Sequence, residues 1–349
     1  MTLVRIVKDW DFPDLLRQTP GHSGEWGGVR FTMDAVKECD YVIAFNRIPE
    51  EEVVTCPPEH IWVLTQEPPV PEYHWLRQGF DSFHRVYTQD ISLQGGPYVH
   101  AQPSTPWHVD KDYDFLKSFP VPEKPKILST MTSAAASRAG HRKRLHFLRT
   151  LRKQVDYDWV RSPDYVKRRA PDRPLEEIRR ELVADGYTCV ESKWDAHERY
   201  RYSLVFENHS GPYYWTEKLM DCYLGWAMPI YYGCTNIDEY FPPESMLKID
   251  IDRPEEAAEI IREAVGSELW RERRDAIAHA RELILEKHQL FPFLTGLIQD
   301  CESTQPVTPR RRNRLPELPF LGHRATPPRR SLVRRAASKA KRLVKRLLP

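Results

Sequence analysis

The chain has 349 residues, 40% of them hydrophobic and 29% charged, which suits two domains better than one small core. Mean hydropathy is −0.62, and no run approaches the ~18 apolar residues of a membrane span, which excludes an integral topology. The net charge of +2 divides unevenly: residues 303–349 hold fourteen Lys and Arg against one acid, Glu317, giving +13 and leaving −11 on the rest.

In chain order, the first twelve residues mix Arg5, Lys8, Asp9 and Asp11 with apolar side chains and read as neither signal peptide nor anchor. Residues 41–45 and 61–65 are short apolar runs bounded by turn residues, predicted as buried parallel strands. Short helices are expected at 34–39 and 73–78. The run from Phe119 to Pro125 carries three prolines and reads as a stiff connector. It sets the expected division into residues 1–122 and 123–301.

The second part opens with a strand at 126–130, then a small-residue loop at 133–140 and a helix at 141–153. Next come a strand at 155–160, a helix at 175–184, a strand at 202–206, a helix at 216–224 and a strand at 228–232. The last two helices start at Pro254, capped by Asp252, and run over 267–287 with Ser267 as cap. This alternation predicts parallel sheets with ligands at the carboxyl ends of the strands. Residues 302–330 are rich in Pro and Arg and read as a mobile linker.

Six cysteines lie far apart with no C-x-x-C pair, against a zinc cluster or disulfide scaffold and in keeping with a reducing cytosol. Asp250 and Asp252 have a D-x-D look, but the helix-cap role explains Asp252 better, so no metal site is assigned. There is no P-loop, serine-hydrolase elbow or nicotinamide G-x-G-x-x-G.

The most informative stretch is FEN-x7-TEK over residues 206–218, followed by PIYYG over 229–233. Leu219, Cys222, Tyr223 and Trp226 recur with helical spacing, so the helix that begins near Thr216 buries one face. Lys218 in its first turn is unfavourable for the helix alone, yet sensible if an anion binds there. On these residues alone a surface Glu–Lys pair and an anion site both fit.

These motifs resemble the donor-binding signature of glycosyltransferase family 10, the α-1,3/1,4-fucosyltransferases, over roughly residues 60–250. The resemblance implies an α/β fold of two Rossmann-like domains facing a cleft (GT-B type), with GDP-fucose held mainly by the C-terminal one. It places Asn208, Tyr214, Glu217 and Lys218 at the donor, the glutamate on the ribose and the lysine on the pyrophosphate. Arg144, with Phe147 and Leu151, matches the family's R-x-x-F-x-x-x-L helix and would be a second phosphate clamp. Arg201 stands where the family has lysine and is a possible donor-side residue, and His209 replaces a serine. Residues 62–69, WVLTQEPP, resemble the segment ending in the catalytic glutamate, here Glu67, with Glu72 as the fallback.

The implied reaction is inverting transfer of L-fucose from GDP-fucose to a glycan hydroxyl, α-1,3 or α-1,4 on N-acetylglucosamine in a surface polysaccharide. GDP-fucose is a substrate, so no cofactor is required and no divalent metal is implied, Arg144 and Lys218 standing at the pyrophosphate instead. A related enzyme using another GDP-sugar is the nearest alternative. Residues 331–349 form a basic helical pattern with Leu332, Leu343, Leu347 and their neighbours on one face. Over 331–348 that pattern is expected to lie on an anionic membrane surface. This would place the protein in the cytoplasm, peripheral on the inner face of a bacterial membrane. Nucleic-acid binding through the tail is the competing class, disfavoured by the acidic body and the lack of aromatic–basic interleaving.

Overall fold

The computed structural model describes residues 1–320 apart from 135, 168, 169, 305 and 307. Two parallel sheets dominate it. The first sheet holds β1 (Thr2–Val7), β2 (Glu25–Trp26), β3 (Val29–Thr32) and β4 (Tyr41–Phe45). After β5 (Glu52–Cys56), which lies outside it, the sheet adds β6 (Ile61–Leu64), β7 (Arg85–Thr88) and β8 (Tyr98–His100). Its order is β2-β3-β1-β4-β6-β7-β8, with only the β2–β3 pair antiparallel.

Its central strands are buried on both faces, as continuous apolar runs require. Alternate residues divide between two cores. Val4, Ile6, Ile43, Phe45, Trp62 and Leu64 point to one side, while Val42, Ala44, Ile61 and Val63 point to the other. The strand β1 is absent from the sequence reading, because Arg5 interrupts its apolar run. Arg5 is accommodated by the Ile6 carbonyl at 3.0 Å and Glu52 at 2.8 Å.

The second sheet contains β9 (Lys126–Thr130), β10 (Asp158–Arg161), β11 (Thr188–Cys189), β12 (Tyr200–Phe206), β13 (Met228–Tyr232) and β14 (Leu247–Lys248). All are parallel, in the order β11-β10-β9-β12-β13-β14. The helices Ala139–Leu151, Leu175–Ala184 and Glu217–Leu224 stand close to their expected places.

Several elements differ from the sequence reading. Residues 34–39 form no helix: Glu38 makes an isolated bridge to Thr55, and the Cys39 amide donates to the Thr55 carbonyl. Residues 73–78 lie within a 3₁₀ segment, Pro71–Ser82, that buries Tyr73, Leu76 and Phe80. The helix at Pro254 has Arg253 at its cap, because the Asp252 carboxylate is taken by Lys143. The long helix expected at 267–287 is broken at Arg273 (φ −101°, ψ 15°) into Leu269–Glu272 and Arg274–Leu283, with a π turn over Ile284–His288 after them.

The chain also crosses between the two layers elsewhere than the prolines suggest. Trp107, Val109, Tyr113 and Leu116 already pack in the core of the second sheet. The helix Leu290–Thr304 returns to the first, where Leu290, Phe291, Leu294, Ile298 and Cys301 cover one face. Within 302–330, residues 311–315 form β15 (Arg311–Leu315), antiparallel to β5. Leu315 closes the core opposite, and Arg314 pairs with Glu51. The segment is therefore strapped to the first layer here rather than loose. The amphipathic pattern at 331–348 lies outside the described residues.

Candidate active site

The strands β9 and β12 are neighbours, and their carboxyl ends lie side by side, so the segments leaving them meet. Beyond β12 stand Glu207 and Asn208; beyond β9 the chain enters the helix that carries Arg144. The Arg144 guanidinium donates to Asn208 Oδ1 at 2.8 Å and to the Phe206 carbonyl at 3.3 Å. Its Nε has no protein partner although the residue is 4% exposed, which suits a site built for a bound acceptor. The close approach depends on Gly140, where a Cβ would stand 2.3 Å from the Asn208 carbonyl oxygen.

Glu207 organises the helix start at Thr216. It is fully buried, accepting from the Thr216 amide and hydroxyl, both at 2.8 Å. Thr216 caps the helix through its hydroxyl, and that oxygen also accepts from Lys218 Nζ at 2.9 Å. Lys218 stands 3.1 Å from Glu217 and 3.6 Å from Glu207. Burial alone would lower its pKa, but the two carboxylates more than offset this and hold it above the ordinary value. Gly233 of PIYYG closes the arrangement: a Cβ there would meet Glu207 Cγ at 2.5 Å.

Burial pushes the Glu217 carboxyl up, yet Lys218, His108 and Lys193 outweigh it and keep the group below the usual range. For Glu207 burial wins and the carboxyl is raised. The connector between the layers is fixed to the same helix. Thr105 Oγ1 accepts from the Glu217 amide at 2.9 Å. The amides of His108 and Val109 donate to Asp221 at 2.8 and 3.1 Å, and Lys193 pairs with that carboxylate's other oxygen.

From the first layer, Glu67 lies just beyond β6. Its neighbour Gln66 is held by the Asn46 side chain at 2.6 Å and the Ser104 carbonyl at 3.2 Å. The Tyr73 hydroxyl hydrogen-bonds to Glu67 and to Arg138 of the second layer, and the Arg138 guanidinium lies 4.8 Å from the Tyr73 ring centre. A cavity of about 370 Å³ brings Glu67 and Tyr73 together with Asn208, Tyr214, Glu217 and Lys218. A second, of about 440 Å³, runs along the carboxyl edge of the second sheet past Arg144, Arg161, Lys193 and His197. His108, Asn208, Glu217 and Lys218 line both.

Five of the residues singled out in sequence, Arg144, Asn208, Tyr214, Glu217 and Lys218, thus stand together, with Glu67 facing them. Arg201 does not join them. It is the second residue of β12, about 23 Å of extended chain from Asn208, and pairs with Glu268 at 3.2 Å. Glu72 does not line either cavity. Glu207 was readable as the central letter of FEN. His108 and Lys193 had no sequence signal, being single polar residues on irregular segments, whereas Arg138 stands in the basic run beside Arg144 that the sequence shows, at the cap of that helix. Among the described residues no group of three or more His, Cys, Asp or Glu is placed to hold a metal ion.

Residues 121–266 match the family model described as glycosyltransferase family 10 (fucosyltransferase) C-term. That segment is similar to the family 10 fucosyltransferase domain. It contains every donor-side residue named above. A 78-residue stretch is 35% identical to the alpha-(1,3)-fucosyltransferase FucT of Helicobacter pylori, covering 22% of this chain and 16% of that protein. The chain therefore aligns with less than a fifth of that relative's length.

Among solved structures, an alpha1,3-fucosyltransferase with GDP-fucose is 15% identical, covering 83% of this chain and 92% of that one, at a TM-score of 0.42. A glycosyltransferase from Rickettsia africae is 10% identical, covering 86% and 98%, at 0.47. Among the described residues no helix is long and apolar enough to cross a membrane.

Proposed function

We propose that this protein is an inverting fucosyltransferase that moves L-fucose from GDP-fucose to a hydroxyl of a glycan. The observation that supports the reading is that Arg144 and Lys218 line one cavity within the segment matched by the family 10 model, and that Lys218 also lines the adjoining cavity that holds Glu67. Two fixed cations beside helix amides suit a diphosphate whose charge grows as it leaves. Glu217, beside Lys218 and held ionised, is an acceptor for ribose hydroxyls.

Glu67 projects into the cavity from the other layer, on the side from which an acceptor hydroxyl must approach. It takes the acceptor's proton as the oxygen attacks the anomeric carbon and the C1–O bond to GDP breaks on the opposite face. Attack from the face opposite the leaving group inverts the configuration. Charge compensation at the pyrophosphate is assigned to Arg144 and Lys218.

The acceptor is proposed as an N-acetylglucosamine-containing surface glycan, fucosylated through an α-1,3 or α-1,4 linkage on the cytoplasmic side of the membrane. The basic residues of 331–348 support a peripheral position beside anionic lipid. Incubation with GDP-fucose or GDP-mannose and a panel of β-linked oligosaccharides tests this. GDP release only with GDP-fucose, and an α-fucosyl product by NMR, is expected. Turnover with GDP-mannose instead would replace the donor assignment.

A further inference from the structure

The strap that carries β15 does more than close a core. Beyond it, the Leu318 amide donates to the Ile48 carbonyl at 2.9 Å, and the Leu318 carbonyl accepts from Arg47 at 2.8 Å. Arg47 is itself locked to Asp9 at 2.8 Å. Two residues later Phe320, 63% exposed, stands edge-on to Trp75 with ring centres 5.4 Å apart, and the Arg47 guanidinium lies 5.7 Å from the Phe320 ring. Both rings line the same cavity as Glu67, together with Trp10, which lies parallel to Phe45 at 6.3 Å.

A single exposed phenylalanine is ordinary on a protein surface; what sets Phe320 apart is where it is held. Here it is delivered by a pinned segment to the wall of the cavity on the Glu67 side. Aromatic faces carry negative charge density, and the C–H groups of a pyranose ring present a polarised, weakly positive face to them. The flanking Asp9, Asn46 and Arg47 offer acceptors and donors for hydroxyls at the ring edge.

We infer that Trp75 and Phe320, with Trp10 lining the same cavity, form a pyranose-binding platform for the acceptor oligosaccharide, completed by the C-terminal strap. This rests on the proposed transferase reading for its direction: the platform lies in the cavity that holds Glu67, which Arg144 does not line. The strap, which pairs with β5, is thereby a specificity element of the first layer, although it comes after the second in sequence.

The test is direct binding of N-acetyllactosamine, chitobiose and lactose to the full chain, read by saturation-transfer NMR titration alongside calorimetry with GDP. Phe320→Ala should weaken disaccharide binding about five- to tenfold, Trp75→Ala by at least as much, and Phe320→Tyr should restore it. GDP calorimetry and melting temperature report whether each variant is folded. Phe320→Ala binding within twofold of wild type would overturn the platform, as would a wild-type chain that binds none of the three sugars at millimolar concentration. The two readings fail separately. A protein that neither binds GDP nor transfers fucose, yet loses disaccharide binding in Phe320→Ala, keeps the platform and loses the transferase reading. Active transfer with an unaffected Phe320→Ala does the reverse.

Discussion

The two walls of the cleft are built by opposite means. The donor wall is dense in charge: Glu207, Glu217, Lys218, Arg144, Asp221, Lys193 and His108 interlock within a few ångströms around one helix start. The acceptor wall is sparse in charge and aromatic, and its parts arrive from residues 9–12, 46–47, 66–76 and 320. Binding a diphosphate needs preorganised cations and amides at a sheet edge, which one strand–loop–helix unit can supply. Offering faces to a sugar needs only surface, which distant segments can share. Those two chemistries account for a compact motif on one wall and a dispersed patch on the other.

The comparison breaks most sharply at Glu67, the one ionisable group assigned to chemistry on the sparse wall. Glu67→Gln keeps the shape but cannot accept a proton, so turnover should fall about 10²- to 10⁴-fold. GDP affinity by calorimetry should stay within about twofold, since the phosphate-binding groups lie opposite. Near-normal turnover would remove the base from this wall. A matching loss of GDP affinity would show that the walls are not separate.

Next in size is the donor clamp. Lys218→Ala and Arg144→Ala each remove a charge-assisted hydrogen bond of roughly 1.5–3 kcal/mol, or ten- to hundredfold in GDP affinity. Arg144→Lys should not rescue, because Nη1 is already engaged by Asn208 and the Phe206 carbonyl while Nε is left for the phosphate, a division of donors that a lysine ammonium cannot reproduce. Unchanged affinity in both alanine variants would sink the phosphate assignment.

That contrast also explains what could be read from sequence. FEN-x7-TEK was legible through its resemblance to the family 10 signature, while its residues alone left a surface Glu–Lys pair open; the bonds from Thr216 to Glu207 that join strand end to helix cap appear only in the structure. Four strands of the second sheet, β9, β10, β12 and β13, were legible, whereas the two-residue edge strands β11 and β14 are too short to leave a pattern. The strand β1 was not, because Arg5 finds internal partners that no pattern announces. The strap was hidden because its composition is that of a linker: the ladder from Arg311 to Leu315 uses backbone groups and a single buried side chain, Leu315. Arg201 misled because charge at a motif position says nothing about which end of the strand it occupies.

The dense wall makes a prediction about acid. Glu217 has a depressed pKa, so its stabilising contribution is present above the ordinary glutamate range and is lost only as pH falls through the lower folded value. Glu207 is raised, so its contribution has the opposite sign and is lost as pH rises through its folded pKa. On acidification the Glu207 contribution should therefore raise stability at pH values above about 4.5, and the Glu217 contribution should lower it below that value, both measured by denaturant titration. Glu217→Gln should lose less stability on acidification than wild type, and Glu207→Gln more. Equal slopes would mean that the two carboxylates share one proton as a unit around Lys218.

The smallest expected effect probes the place where the walls touch. Arg138 belongs to the donor layer, just before the helix of Arg144, yet its guanidinium lies over Tyr73, and Tyr73 in turn bonds Glu67. A cation over an aromatic ring at a partly exposed site contributes about 0.5–1 kcal/mol, so Arg138→Ala should lower turnover about two- to fivefold. The loss should appear in kcat, because the contact orients Glu67 through Tyr73 and does not hold either substrate. Arg138→Lys should recover little, since the planar guanidinium stacks where an ammonium cannot. Tyr73→Phe keeps the ring and removes the hydroxyl, so it should reproduce the kcat loss while leaving Arg138 in place. If Arg138→Ala instead costs tenfold or more in GDP affinity, Arg138 belongs to the phosphate clamp and the dense wall extends across the cleft. If it changes neither kcat nor GDP affinity, Glu67 is positioned from its own layer alone, by Gln66 and Asn46.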